Sequence, residues 1–123
     1  MLWVRDLSRS EVLAGAKELA VGAYRMAESL PKHETYGLAS QVRRCAVSIA
    51  ANIAEGLGRG TDGDLERHLR IALGSAAELE ILIELAGTVY PLAPSPDLID
   101  RLDATKRRLI RLTMRVAADR RNR

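Results

Sequence analysis

Phenylalanine is missing from this 123-residue chain, and its aromatic side chains are only Trp3, Tyr24, Tyr36 and Tyr90. With so few rings to stack on bases, any nucleic-acid contact is expected to run through backbone and shape more than base identity. A single cysteine, Cys45, excludes an internal disulfide framework. On the core stripe of its helix it reads as a small buried hydrophobe, and the expected compartment is cytoplasmic. The two histidines, His33 in a loop and His68 alone on its helix, do not make a ligand set. No Glu is followed by His three residues later, so the di-metal chemistry of helical bundles is not expected, and neither is a cofactor. Ser40, Ser48 and Ser75 have no histidine near them in sequence, which argues against nucleophilic catalysis. Gly56, Gly58, Gly60 and Gly63 surround a turn but lack the lysine of a phosphate-binding loop. The N-terminus shows no basic-then-apolar signal pattern, and no apolar run approaches the roughly 18 residues of a membrane span. No stretch alternates with period two over a strand's length, so the chain is read as all-α.

Hydrophobic residues make up 47% and charged residues 28%, enough for one domain with a sizeable core. Four helices follow from spacing and punctuation. The first is expected over about 9–29, with Val12, Ala16, Leu19, Ala23, Met26 and Leu30 inside, Ser10 able to cap it and Pro31 stopping it. The second spans about 38–57 on a stripe of Leu38, Val42, Cys45, Ile49 and Ile53, and ends at Gly56 and Gly58, which accept a left-handed backbone. Its second apolar flank, Ala39, Ala46, Val47, Ala50 and Ala54, calls for more than one packing partner. The third covers about 62–90, opened by Thr61 and Asp64 as a variant capping box and packed through Leu65, Leu69, Ala72, Ala76, Leu79, Ile83 and Ala86. Pro91, Pro94 and Pro96 break the chain. Ser95 and Pro96 then open a fourth helix over about 96–119, with Leu98, Leu102, Thr105, Leu109, Leu112 and Val116 inside and Arg120 to Arg123 frayed. Connections of roughly four to eight residues make successive helices antiparallel, giving an up-down-up-down four-helix bundle.

Charge is uneven. Net charge is +3, but residues 101–123 hold nine Lys/Arg against Asp103 and Asp119, a local +7 that leaves the other hundred residues at −4. At 100° per residue, Arg101, Arg107, Arg108, Arg111 and Arg115 fall on a stripe of about 120° beside the apolar face of the fourth helix. The stripe is either a solvated face or a phosphate-binding one, and arginine suits bidentate phosphate contact. Arg101, Lys106, Arg107, Arg108, Arg111 and Arg115 are the candidate nucleic-acid contacts, with Arg59 in the second turn as an addition. Arg43 and Arg44 have two readings: contact with nucleic acid, or buried ion pairs with Glu78 and Glu80 of the third helix.

The run Tyr36 to Gly56, ending in Asn52-Ile53-Ala54-Glu55-Gly56, resembles the four-helix-bundle or 23S rRNA intervening-sequence protein family, which includes the accessory variability determinant of diversity-generating retroelements. Trp3-Val4-Arg5-Asp6-Leu7 is similar to that family's lead-in, and Leu65 to Leu85, with Ile71-Ala72-Leu73-Gly74-Ser75 and Glu78-Leu79-Glu80, to its third-helix signature. Leu65 and Leu69 stand where the family commonly has aromatics. The resemblance implies a homo-oligomer, expected as a pentamer whose protomers form a barrel, and a link either to a reverse transcriptase ribonucleoprotein or to an rRNA insertion. The resulting expectation is a non-catalytic, RNA- or DNA-binding accessory protein. The alternative is a scaffold whose basic helix binds an acidic protein. An enzyme would require a site built only by oligomerisation.

Overall fold

A computed structural model describes the backbone of residues 2–122 and the side chains of residues 8–122. Met1, Arg123 and the side chains of the Trp3–Leu7 lead-in lie outside the described residues. Four helices follow in order: α1 (Leu2–Ser29), α2 (Leu38–Gly58), α3 (Asp62–Val89) and α4 (Pro96–Arg121), with a short 3-10 turn at Lys32–Glu34. No strand occurs among the described residues. α1 packs on α2 and α4, and α3 packs on α2 and α4, while α1 and α3 lie diagonally across the bundle and meet at one end through Arg9 and Asp62, 3.9 Å apart. Partners run in opposite chain directions: Cys45 meets Glu78 while Gly56 lies against Leu65, Lys106 meets Glu80 while Arg120 meets Glu66, and Gly15 lies against Thr105 while Gly22 lies against Leu98. Each of these neighbouring pairs is therefore antiparallel.

Local chemistry explains most of the helix ends. Thr61 caps α3 by accepting the Asp64 N–H at 3.2 Å, and Ser95 caps α4 by accepting the Leu98 N–H at 3.0 Å with Pro96 in its first turn. α2 starts after Gly37, which has no side chain to offer, and the Glu34 carboxylate accepts the Leu38 N–H at 3.2 Å instead. Three expectations fail. Ser10 is no cap, because nothing between Leu2 and Ser10 is proline or glycine and α1 continues through it. Gly56 and Gly58 are not left-handed; the positive φ falls on Gly60, at 85°. Gly56 is needed for closeness instead: a Cβ there would sit 2.9 Å from the His68 Cβ. The α4 end is not frayed over Arg120, whose guanidinium is 3.0 Å from the buried Glu66 carboxylate.

The expected core positions of α1, α3 and α4 are buried, and Leu38 on α2 is half-buried. On α2, Ala39 and Ala46 are buried and Ala50 is half-buried, whereas Val47 and Ala54 face outward. Helical spacing turns Ala46 toward α1 and Cys45 toward α3. The core stripe is therefore used within one chain, and so is the part of the second flank at Ala39, Ala46 and Ala50.

Candidate nucleic-acid interface

Position on α4 decides which cations are free. Its core face, Leu98, Leu102, Thr105, Leu109, Leu112 and Val116, is fixed between α1 and α3, so the residues beside that face meet one neighbour or the other. Lys106 points to α3 and places its Nζ 2.8 Å from the Glu80 Oε1. Arg101 points to α1, where it is held by Glu18 and by Asp97 of its own helix at 2.8 Å. Those carboxylates, Asp97 foremost, hold its guanidinium still more firmly protonated than usual. Arg59 is occupied by Glu55 at 3.0 Å. Three of the seven candidate contacts thus already have partners.

Arg107, Arg108, Arg111 and Arg115 do not. All four are exposed, and no hydrogen bond or ion pair engages them among the described residues. Arg107, Arg111 and Arg115 rise about 6 Å apiece along the helix. That spacing is shorter than the screening length of about 8 Å at physiological salt, so their fields overlap instead of acting singly. Exposed Ile99, Ile110 and Met114 lie on the same helix, toward the α3 side of this row.

The expected pairing of Arg43 and Arg44 with Glu78 and Glu80 does not occur. Arg43 donates to the Thr35 carbonyl at 3.2 Å, and Arg44 is exposed with no partner among the described residues. The reason is rotational: Cys45 and Ser48 are the α2 residues that face α3, which leaves Arg44 turned outward. Cys45 donates to the Ser75 carbonyl at 2.9 Å and to Glu78 at 3.3 Å, and Glu80 is turned to α4. Burial, then the Glu78 carboxylate, pushes the Cys45 thiol up to about 12. Ser48 and Ser75 share a hydrogen bond of 2.9 Å, and Asn52 donates to the Ser48 carbonyl at 2.9 Å.

Two polar clusters were not foreseen. Glu66 takes Arg70 at 2.9 Å and Arg120 at 3.0 Å, which hold its carboxyl below the usual range, with Arg70 the larger cause. At the opposite end Tyr90 donates to Glu34 at 2.7 Å, which lowers the carboxyl and raises the phenol. The i, i+4 spacing of Glu66 and Arg70 was visible in the sequence, but nothing marked Arg120 as the third member. Among the described residues no group of three or more His, Cys, Asp and Glu could hold a metal ion. None of their helices is long and apolar enough to cross a membrane.

The fold and the site define a small all-α four-helix bundle with one arginine-lined helix. Its sequence matches the family model described as "23S rRNA-intervening sequence protein" over residues 8–110, and the chain belongs to that family. A solved structure from Bacteroides thetaiotaomicron, described as a protein with unknown function from the S23 ribosomal protein family, is similar in fold. It superposes with a TM-score of 0.77 at 22% identity, over 87% of this chain and 98% of the other. No curated protein matches the chain.

Proposed function

We propose that this protein is a non-catalytic, cytoplasmic accessory protein that binds RNA or DNA through the outer face of α4 and works as a homo-oligomer. The supporting observation is the row of Arg107, Arg108, Arg111 and Arg115, exposed and unneutralised while the other cations of the site are paired within the chain. Leaving four guanidiniums without carboxylates suits a phosphate partner, to which each offers a planar fork of donors. Several copies around one particle, five in the arrangement the family resemblance implies, multiply a weak phosphate contact by avidity. A reverse transcriptase ribonucleoprotein is the proposed setting, and an rRNA insertion the other. Arg101, Lys106 and Arg59 drop out of the contact set.

A second reading has its own observation. Ile99, Ile110 and Met114 are 44%, 44% and 66% exposed beside the arginines, a mixture that suits an acidic protein partner. Binding of a structured RNA across a salt series separates the two, comparing wild type with a variant carrying Arg107→Glu, Arg111→Glu and Arg115→Glu. Light scattering first establishes that both share one oligomeric state. Steeply salt-dependent binding, near −0.9 per phosphate for duplex DNA and about −0.7 for single strands, that vanishes in the variant supports nucleic acid. No binding by wild type near physiological salt overturns that reading in favour of the protein scaffold.

A further inference from the structure

Beside the arginine row, a cleft of about 280 Å³ opens between α1 and α4. Its floor is Gly15 on α1 and Ala104 on α4, and its free polar groups are Asp100, Thr105 and Arg108. None of those three has a hydrogen bond or ion pair among the described residues. Thr105 is only 2% exposed, and it lines the cleft without a hydrogen-bond partner among the described residues. The Arg108 Nη1 and the Thr105 Oγ1 lie 3.1 and 3.9 Å from the point where a Gly15 Cβ would stand, so they converge on the glycine. Packing does not require that glycine, because the tight neighbour is the far end of a flexible arginine. Glycine in a helix interior is otherwise a poor choice, and what it provides here is room for the Arg108 guanidinium at the cleft floor.

We propose that this cleft receives a single guanine base splayed from an RNA or DNA strand whose phosphates run along Arg107, Arg111 and Arg115; the proposal rests on the nucleic-acid reading above. The free groups have guanine's polarity. Asp100 only accepts hydrogen bonds and matches the base's N1–H and N2–H₂ edge, while Arg108 only donates and matches O6 and N7. Asp100 and Arg108 stand at i and i+8 of one helix with Ala104 midway, so acceptor and donor bracket a flat, small-residue floor. Adenine reverses the match, setting its N1 lone pair against the carboxylate and its amino group against the guanidinium. Recognition here is by the edges of an unpaired base and does not need an aromatic platform. This adds a base preference that the scarcity of aromatic residues argued against.

Fluorescence anisotropy on two labelled single-stranded oligouridylates tests this, one carrying three internal guanines and the other three adenines at the same places. Wild type, Gly15→Leu and Asp100→Asn are compared. Leucine at position 15 is a better helix former than glycine, and circular dichroism checks that both variants keep their helix content. The guanine strand is expected to bind wild type roughly tenfold tighter than the adenine strand, as one good edge contact allows. Both variants should bring the two strands to parity while keeping a steep salt dependence. Equal binding of the strands by wild type, still lost on changing Arg107, Arg111 and Arg115 to Glu, overturns the cleft and keeps the arginine face. A guanine preference that survives both variants places recognition elsewhere and also overturns it. Absence of binding to either strand near physiological salt overturns both readings together.

Discussion

Lys106 and Glu80 join α4 to α3 by an ion pair of 2.8 Å, so a cation that belongs to the basic segment in sequence belongs to the bundle in structure. Arg111, five residues on, faces away from both neighbours without a partner. Lys106→Ala is expected to leave RNA affinity within about twofold and to cost up to about 1 kcal/mol of stability, the range of partly exposed pairs. Arg111→Ala should do the reverse: an unchanged melting temperature and a salt slope shallower by nearly one phosphate. Parallel urea titrations and salt-dependent binding curves check both. Equal loss of RNA binding in the two variants would return Lys106 to the contact surface.

Arg44→Ala should change stability by less than about 0.5 kcal/mol, as for surface substitutions away from special features. A cost of several kcal/mol in chemical denaturation would mean that Arg44 does have a buried partner.

Acid should loosen the end of the bundle held by Glu66. Arg70 and Arg120 depress its carboxyl from the usual 4.5, so its contribution is fully present above that value. It is lost as pH falls through the lower folded-state value, where the folded protein must take up the proton. Glu66→Gln is expected to lower stability at pH 7 and to flatten the fall in melting temperature below about pH 4.5. An acid limb identical in wild type and variant contradicts the assignment.

Gly56→Ala tests the closest approach of α2 and α3. The added carbon would meet the Cβ of His68 at 2.9 Å and the Cδ1 of Leu65 at 3.1 Å. Overpacking of this kind costs about 1–3 kcal/mol, enough to outweigh alanine's better helix propensity. Urea unfolding decides it, and a stabilised variant would show that the helices separate freely.

Native Cys45 should resist thiol reagents at pH 8, since its pKa is about 12 and its side chain is buried. Labelling should become complete in denaturant. Fast, stoichiometric labelling of the folded protein would rule out the seam with Ser75 and Glu78.

Punctuation made the helices legible. Pro31, Thr61 and the Ser95-Pro96 pair each mark a boundary that the backbone respects. The beginning of α1 was not legible, because Ser10 has the chemistry of a cap but no reason to be used as one. At the site, periodicity correctly set the free arginines on the outer face of α4. It could not assign Arg101, Lys106 or Arg44, since a carboxylate on another helix is reached only when that helix is rotated toward it. Glu78 and Glu80 show the point: two positions apart, they serve α2 and α4 respectively.

The link between α2 and α3 is Arg59, Gly60 and Thr61, against eight residues between α1 and α2 and six between α3 and α4. Closing so short a loop costs little chain entropy, and Gly60 takes up its positive φ without the strain a side chain would add. The α2–α3 hairpin is therefore the cheapest nucleus for folding, with local contacts that favour a fast rate. α1 and α4, which together wall the cleft, are expected to dock afterwards. Substitutions on α4 should accordingly act on how fast the chain unfolds more than on how fast it folds.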